Sequence, residues 1–167
     1  MRQTAGIVIM LLLAGIGLSI EPVMPRHPAP SPDGTVIAFS WQGDIWLAPA
    51  AGGAARRLTA NPGYDGRPVW LPGGTGLAFT SNRDGGDDAY HLDLATGATH
   101  RLTHHEAADF VMGGLVADVV FTSARHDAFD RMPAVYRIPA AGGTESLLAQ
   151  VLALEAVPSP DGRRLAL

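Results

Sequence analysis

Cysteine is absent from these 167 residues, and so is lysine. Without thiols the chain can build neither a disulfide framework nor a thiolate metal site. All twelve basic residues are arginine, set against sixteen acidic ones, for a net charge of −4. That balance argues against nucleic acid as a partner. After residue 20 no stretch of ordinary helical length shows amphipathic periodicity. Hydrophobic residues still reach 47%, enough for a packed core. Glycine (20) and proline (13) are plentiful and spread along the chain, which suits many short strands and turns.

The N-terminus stands apart. Arg2 precedes an uncharged run from Thr4 to Ile20 that is most apolar over Ile7 to Leu13. A short positive region before an apolar core is the pattern of a signal peptide, here residues 1–19, with small residues at Gly17-Leu18-Ser19 for cleavage. An uncleaved membrane anchor is the alternative. Either places the rest of the chain in the periplasm or outside the cell, and confines membrane contact to this segment. Residues 20–27 read as a spacer.

From there the chain can be laid on itself. Pro28 to Phe39 contains the turn Ser31-Pro32-Asp33-Gly34 before the apolar run Val36 to Phe39. Proline presets the second turn position, aspartate can bond its own backbone, and glycine accepts a positive φ. Pro68 to Phe79, Phe110 to Phe121 and Ala156 to Leu167 repeat the hairpin, the last with Ser159-Pro160-Asp161-Gly162. The end points Phe39, Phe79, Phe121 and Leu167 are 40, 42 and 46 residues apart. A third strand follows in each complete copy, over 43–47, 88–92 and 134–138, with Trp46, Tyr90 and Tyr136 at the centre. Glycine-rich turns then lead to fourth strands at Ala55–Thr59, Ala98–Thr103 and Thr144–Leu148. Four antiparallel strands in about 40–46 residues make one β-propeller blade. The expectation is an all-β, incomplete propeller: three blades (28–66, 67–107, 108–155) and the first hairpin of a fourth (156–167). A β-sandwich is the competing architecture. Because a propeller closes to remove its strand edges, the chain is expected to be the N-terminal piece of a longer protein. The third hairpin departs from the pattern. Its glycines, Gly113 and Gly114, are displaced by two positions, which predicts a longer, bulged or mispaired hairpin. The connection 124–133 is a lengthened surface loop.

The run S-P-D-G-x-x-I-A-F at Ser31 to Phe39, then G-D-I-W, a Gly-Gly turn and R-R-L-T, resembles the propeller repeats of TolB and of tricorn-like proteases. R-P-V-W at Arg67 to Trp70, A-F-T-S-N-R-D-G at Ala78 to Gly85, F-T-S-A-R at Phe121 to Arg125 and Y-R-I-P-A-A-G-G at Tyr136 to Gly143 extend it. The chain looks most like bacterial tricorn-like serine peptidases, in which a signal peptide leads directly into the first repeat. The resemblance implies a peptide or protein ligand and a C-terminal catalytic domain of the same longer protein as partners. It implies a catalytic serine and base outside these residues. No catalytic, cofactor or metal residue is therefore assigned. A non-enzymatic, TolB-like binding propeller of the cell envelope is the alternative, and a propeller fused to an amidohydrolase or prolyl-peptidase-type hydrolase is a third.

Several residues invite site readings. His104, His105, Glu106 and Asp109 have metal-ligand chemistry, but neighbours on an extended chain point to opposite sides, so an inter-blade loop is the simpler account. Asp84 to Asp88 lacks the spaced ligands and closing glutamate of a calcium loop. Ser81, His91 and Asp93 could be drawn as a triad, without a nucleophile elbow. Trp41, Trp46, Trp70 and Tyr90 read as blade packing, with Trp41 also a candidate for stacking on a peptide. Arg83, Arg125 and the arginines of the R-L-T pair are expected to form inter-blade ion pairs with hairpin aspartates such as Asp33 and Asp65.

Overall fold

The computed structural model describes residues 24–126, 133–150, 157–159 and 164–166. The signal or anchor segment, the spacer up to residue 23, part of the 124–133 connection and the tip of the fourth hairpin lie outside the described residues. Strands β1 (Arg26–Pro30), β2 (Val36–Trp41), β3 (Asp44–Pro49) and β4 (Arg56–Arg57) form one antiparallel sheet in chain order. So do β5 (Asp65–Trp70), β6 (Gly76–Ser81), β7 (Asp88–Asp93) and β8 (Thr99–Arg101). The third sheet holds β9 (Asp109–Leu115), β10 (Asp118–Ser123), β11 (Ala134–Pro139) and β12 (Ser146–Ala149). Beyond it β13 (Val157–Pro158) pairs with β14 (Leu165–Ala166). These are three successive propeller blades and a further hairpin. The first strand of each blade packs on the first strand of the one before, as β5 does on β1 and β9 on β5, so these strands are innermost.

Period-two alternation sorts the side chains between blades. In β6, Leu77 and Phe79 face the first sheet and join Ala38, Ile45, Leu47, Tyr90 and Leu92 in one core. Ala78 points the other way, into a second core with Val111, Val119, Phe121, Tyr136 and Ile138 of the third sheet. Phe79 stacks on Tyr90 with ring centroids 5.8 Å apart, and Phe121 on Tyr136 at 5.6 Å. Trp46 meets Trp41 edge-on at 4.9 Å. Trp70 donates from Nε1 to the Ala29 carbonyl at 2.9 Å, tying the second blade to the first.

The Ser31 turn closes as its chemistry predicts. Gly34 N–H donates to Ser31 O at 2.8 Å with φ +72°, and Ser31 N–H donates to Val36 O. Ser31 Oγ donates to Asp33 Oδ1 at 2.6 Å and accepts from Val36 N–H. Ser159 repeats the closing bonds, donating to Arg164 O and accepting from Arg164 N–H at 2.9 Å. The third hairpin is longer and bulged, not mispaired. Its strands reach Leu115↔Asp118 across the two-residue turn Val116-Ala117, and Met112 is the extra residue. Its glycines serve no turn. A Cβ on Gly114 would come within 3.2 Å of Pro72 Cδ and Trp70 O, so Gly114 permits close approach of the second blade.

The arginines pair within blades, not between them, which corrects the expectation. Arg57 reaches Asp44 at 2.6 Å and Arg101 reaches Asp88 at 2.7 Å, each across the last two strands of its own sheet. Thr59 and Thr103 complete these trios, accepting from Ile45 N–H and Ala89 N–H. Arg83 joins Asp65 and Ser81, and Arg125 joins Asp109 and Ser123, likewise inside one sheet. Asp33 is held by its own turn. The ties between blades are hydrogen bonds to backbone groups instead, from Asp65 N–H to Gly43 O, from Asp109 N–H to Asp87 O, from Trp70 Nε1 to Ala29 O and from Val111 N–H to Thr80 Oγ1. In the third blade the positions matching Asp44, Arg57 and Thr59 are Ala134, Leu147 and Ala149. The whole polar trio is replaced at once, as it must be if no buried group is to lose its partner.

Candidate functional site

One end of the blades carries the non-glycine residues of positive φ and the register slips of the first two innermost strands. There lie the turns leaving β2 and β6, the connections from β4 to β5 and from β8 to β9, and the starts of the innermost strands. Among the described residues three non-glycine residues have positive φ, and all three are here: His27 (51°), Gln42 (52°) and Arg67 (53°). Gln42 and Gly43 form a two-residue turn with both φ positive, the twist a tight hairpin needs. His27 and Arg67 sit at the irregularities where β1 and β5 slip register, each directly before a proline. Side chains rarely adopt this conformation, so the fold holds strain at matching points of two blades.

The loops here are braced. Asn82 Oδ1 accepts from Tyr64 N–H at 2.7 Å, and Asn61 Oδ1 accepts from Gly63 N–H at 2.9 Å. A Cβ on Gly63 would lie 2.7 Å from Arg83 Cα, and one on Gly66 would lie 2.5 Å from the Tyr64 ring. Two grooves open at this end. One, about 590 Å³, is lined by Met24, Arg26, Trp41, Gln42 and Tyr64. The other, about 510 Å³, is lined by Arg67, Glu106, Phe110, Met112, Thr122 and Pro133. In it the Arg67 guanidinium lies 5.4 Å from the Phe110 ring centre, and Nη1 lies 4.0 Å from Met112 Sδ. His27 Nδ1 is 3.0 Å from Ser40 Oγ; burial first, then the charges of Arg67 and Arg26, lower its pKa. At the opposite end a groove of about 540 Å³ runs between the Ser31 and Leu71 turns, where Asp33 is already bonded three ways.

The residues singled out in the sequence do not assemble into catalytic or metal clusters. Among the described residues no group of three potential metal ligands comes together. His105 Nδ1 accepts from Ala107 N–H, and Asp109 is buried beneath Arg125. Ser81 is buried and donates to Asp65, three register positions from His91. Asp93 caps its own turn through Ala95 and Thr96. Asp84 accepts from the Tyr90 hydroxyl at 2.6 Å. Trp41 lines a groove, as a stacking residue would. Sequence reasoning missed Arg67 as a site residue. The signal was available: His27-Pro28 and Arg67-Pro68 occupy the same place in two repeats.

His91 faces His100 across β7 and β8, and its hydrogen bond to the Ala140 backbone reaches the third blade. Burial first, and the His100 charge second, depress its pKa below 6.5, against Asp93 and that hydrogen bond. The folded chain therefore binds this proton less readily than the unfolded one. The stability this gives is full above about pH 6.5 and is lost as pH falls from there through the folded-state pKa. His27 acts in the same direction. The urea midpoint should fall between pH 7.5 and 5.5, and His91→Gln should flatten that slope. An unchanged slope would show that His91 does not carry it.

A family model described as the tricorn protease N-terminal beta propeller domain matches residues 22–167. Tricorn protease homolog 1 of Streptomyces coelicolor is 34% identical over 131 residues, which are 77% of this chain and 12% of that protein. The crystal structure of TolB from Acinetobacter baumannii superposes with a TM-score of 0.69 at 25% identity, covering 86% of this chain and 37% of that one. The tricorn protease crystal structure superposes at 0.67 and 21% identity, over 83% of this chain and 15% of that one, a likeness of fold.

Proposed function

The chain belongs to the tricorn protease N-terminal β-propeller family, and from that premise we propose that the end bearing two grooves, with His27, Gln42 and Arg67, recognises a peptide or an extended segment of a protein. The observation that carries this is the gathering of three non-glycine residues of positive φ, His27, Gln42 and Arg67, at that one end, two of them at strand slips and not in a turn. Such backbone persists where the surrounding structure over-determines it, and it clusters at active sites and ligand clamps. The grooves fall in the volume range of ligand sites and combine aromatic walls with a few polar groups.

In this reading the propeller is part of a tricorn-like serine peptidase acting outside the cytoplasm, and it gates or presents peptides to catalytic residues beyond these 167. Arg2 and the apolar run after it support the location. A TolB-like propeller that binds envelope proteins without hydrolysis is the second reading, favoured by the TolB superposition. The reading frame after Leu167 separates them: a PDZ-like domain and a serine peptidase core support the first, and termination after two or three more repeats supports the second.

Recognition itself is tested by affinity selection of end-blocked decapeptides of randomised sequence on the immobilised chain. The wild type should retain peptides and cleave none, and Tyr64→Ala should retain fewer. Equal retention by the variant, or hydrolysis by the chain alone, would contradict the proposal.

A further inference from the structure

Among the described residues four arginines are half-buried: Arg67, Arg83, Arg101 and Arg125. Three of them hold a carboxylate at 2.6–2.8 Å. Arg67 holds none. Its contacts are the face of Phe110 and the sulfur of Met112, an aromatic ring and a weak acceptor. Glu106 lines the same groove without forming an ion pair with it. The residue is also held at φ 53° directly before Pro68, a position a side chain avoids twice over. A guanidinium fixed against a ring, part-desolvated and lacking an acidic partner among the described residues is a prepared carboxylate receptor.

We infer that the Arg67 groove selects an acidic side chain within an extended peptide, with an apolar neighbour of that residue packed against Phe110 and Met112. The inference rests on the groove-bearing end being the recognition surface. Charge complementarity identifies the occupant: the free donors of Arg67 take the carboxylate fork, and the ring and thioether take the apolar group. The groove volume of about 510 Å³ admits a few residues of extended chain. Met112, the extra residue of the third hairpin, supplies part of the apolar wall. The bulge at Met112, which recurs at the matching points of β1 and β5, thus helps to shape this groove.

The test uses the full chain and three labelled heptapeptides read by fluorescence anisotropy. The first is blocked at both ends and carries glutamate between two leucines. The second is its glutamine twin. The third is the glutamine twin with a free C-terminal carboxyl. The glutamate peptide should bind at least about tenfold more tightly than its twin, and the preference should shrink as salt rises. Arg67→Gly should abolish the preference without lowering the Tm, because glycine takes this φ freely. Arg67→Asn, also at home at positive φ, is the second variant and should do the same.

Equal binding of the blocked glutamate and glutamine peptides would leave the recognition surface standing and overturn the inference. Binding of neither would overturn both. A gain seen only with the free C-terminal carboxyl would also overturn the inference, since the site would then read a chain end. So would a preference that survives in both variants while their Tm falls, which would assign Arg67 to the fold.

Discussion

Arg125→Met should destabilise the chain by about 3–5 kcal/mol, the range for removing one partner of a buried ion pair. The Arg125 side chain is 3% exposed and Asp109 is fully buried. Arg125 donates to Asp109 at 2.6 Å, bonds Glu145 and Ser123, and lies 5.0 Å and 5.1 Å from the ring centres of Phe121 and Tyr136. Methionine replaces the volume but not the donors. The Asp109 carboxylate is left in a dry core, where its Oδ1 already lacks a partner among the described residues. Removing both charges, as Arg125→Met with Asp109→Ala, should recover part of the loss, because no buried charge is then unpaired. Arg57→Ala is the contrast. That side chain is 49% exposed, so although Asp44 is buried, water can reach the vacated guanidinium site and the loss should be smaller, about 1–3 kcal/mol. Urea denaturation followed by tryptophan emission measures all three. Similar losses for Arg125 and Arg57 would refute the distinction drawn here between interior and rim pairs.

Phe79→Ala should cost about 3–5 kcal/mol, and Phe79→Leu much less. The ring is fully buried between the first two blades, stacks on Tyr90 and lies under the Arg83 guanidinium at 5.4 Å. Its loss removes buried area and one wall of the slot that orients Arg83. Because Arg83 also bonds Asp65 and Ser81, the effects of Phe79→Ala and Arg83→Ala should not add. The backbone of Arg83 backs Gly63, and neighbouring Asn82 holds Tyr64. Phe79→Ala should therefore also weaken peptide retention at the groove-bearing end. Full retention by a folded Phe79→Ala chain would show that the loops are not braced from the core in this way.

What was legible in the chain was what is local. Alternating residues, an aromatic at the centre of each third strand and a proline-aspartate-glycine turn each act over a few neighbours. They place three blades and a further hairpin. What was not legible depends on who stands opposite. Gly113 and Gly114 look like a displaced turn until β9 is laid on β10, and only then does Gly114 prove to be a contact with Trp70 and Pro72. Asp65 does meet an arginine, Arg83, but which arginine it meets, and whether the pair joins two blades or one, depends on strand register. Asp33 looked free to reach a partner, yet Ser31 and Thr35 satisfy it inside its own turn. Arg67 is the clearest case. Its positive φ comes from a slip between β5 and β6, and its contact with Phe110 crosses from one blade to the next.

The central claim is that ligands are read at the end bearing His27, Gln42 and Arg67. Hydrogen–deuterium exchange of the full chain, with and without a pool of end-blocked decapeptides, tests it most directly. Protection should appear over 41–43, 61–67 and 104–112, and be absent from the turns at 32–35, 72–75 and 116–117. Protection of those turns, with none at the groove-bearing end, would contradict the account.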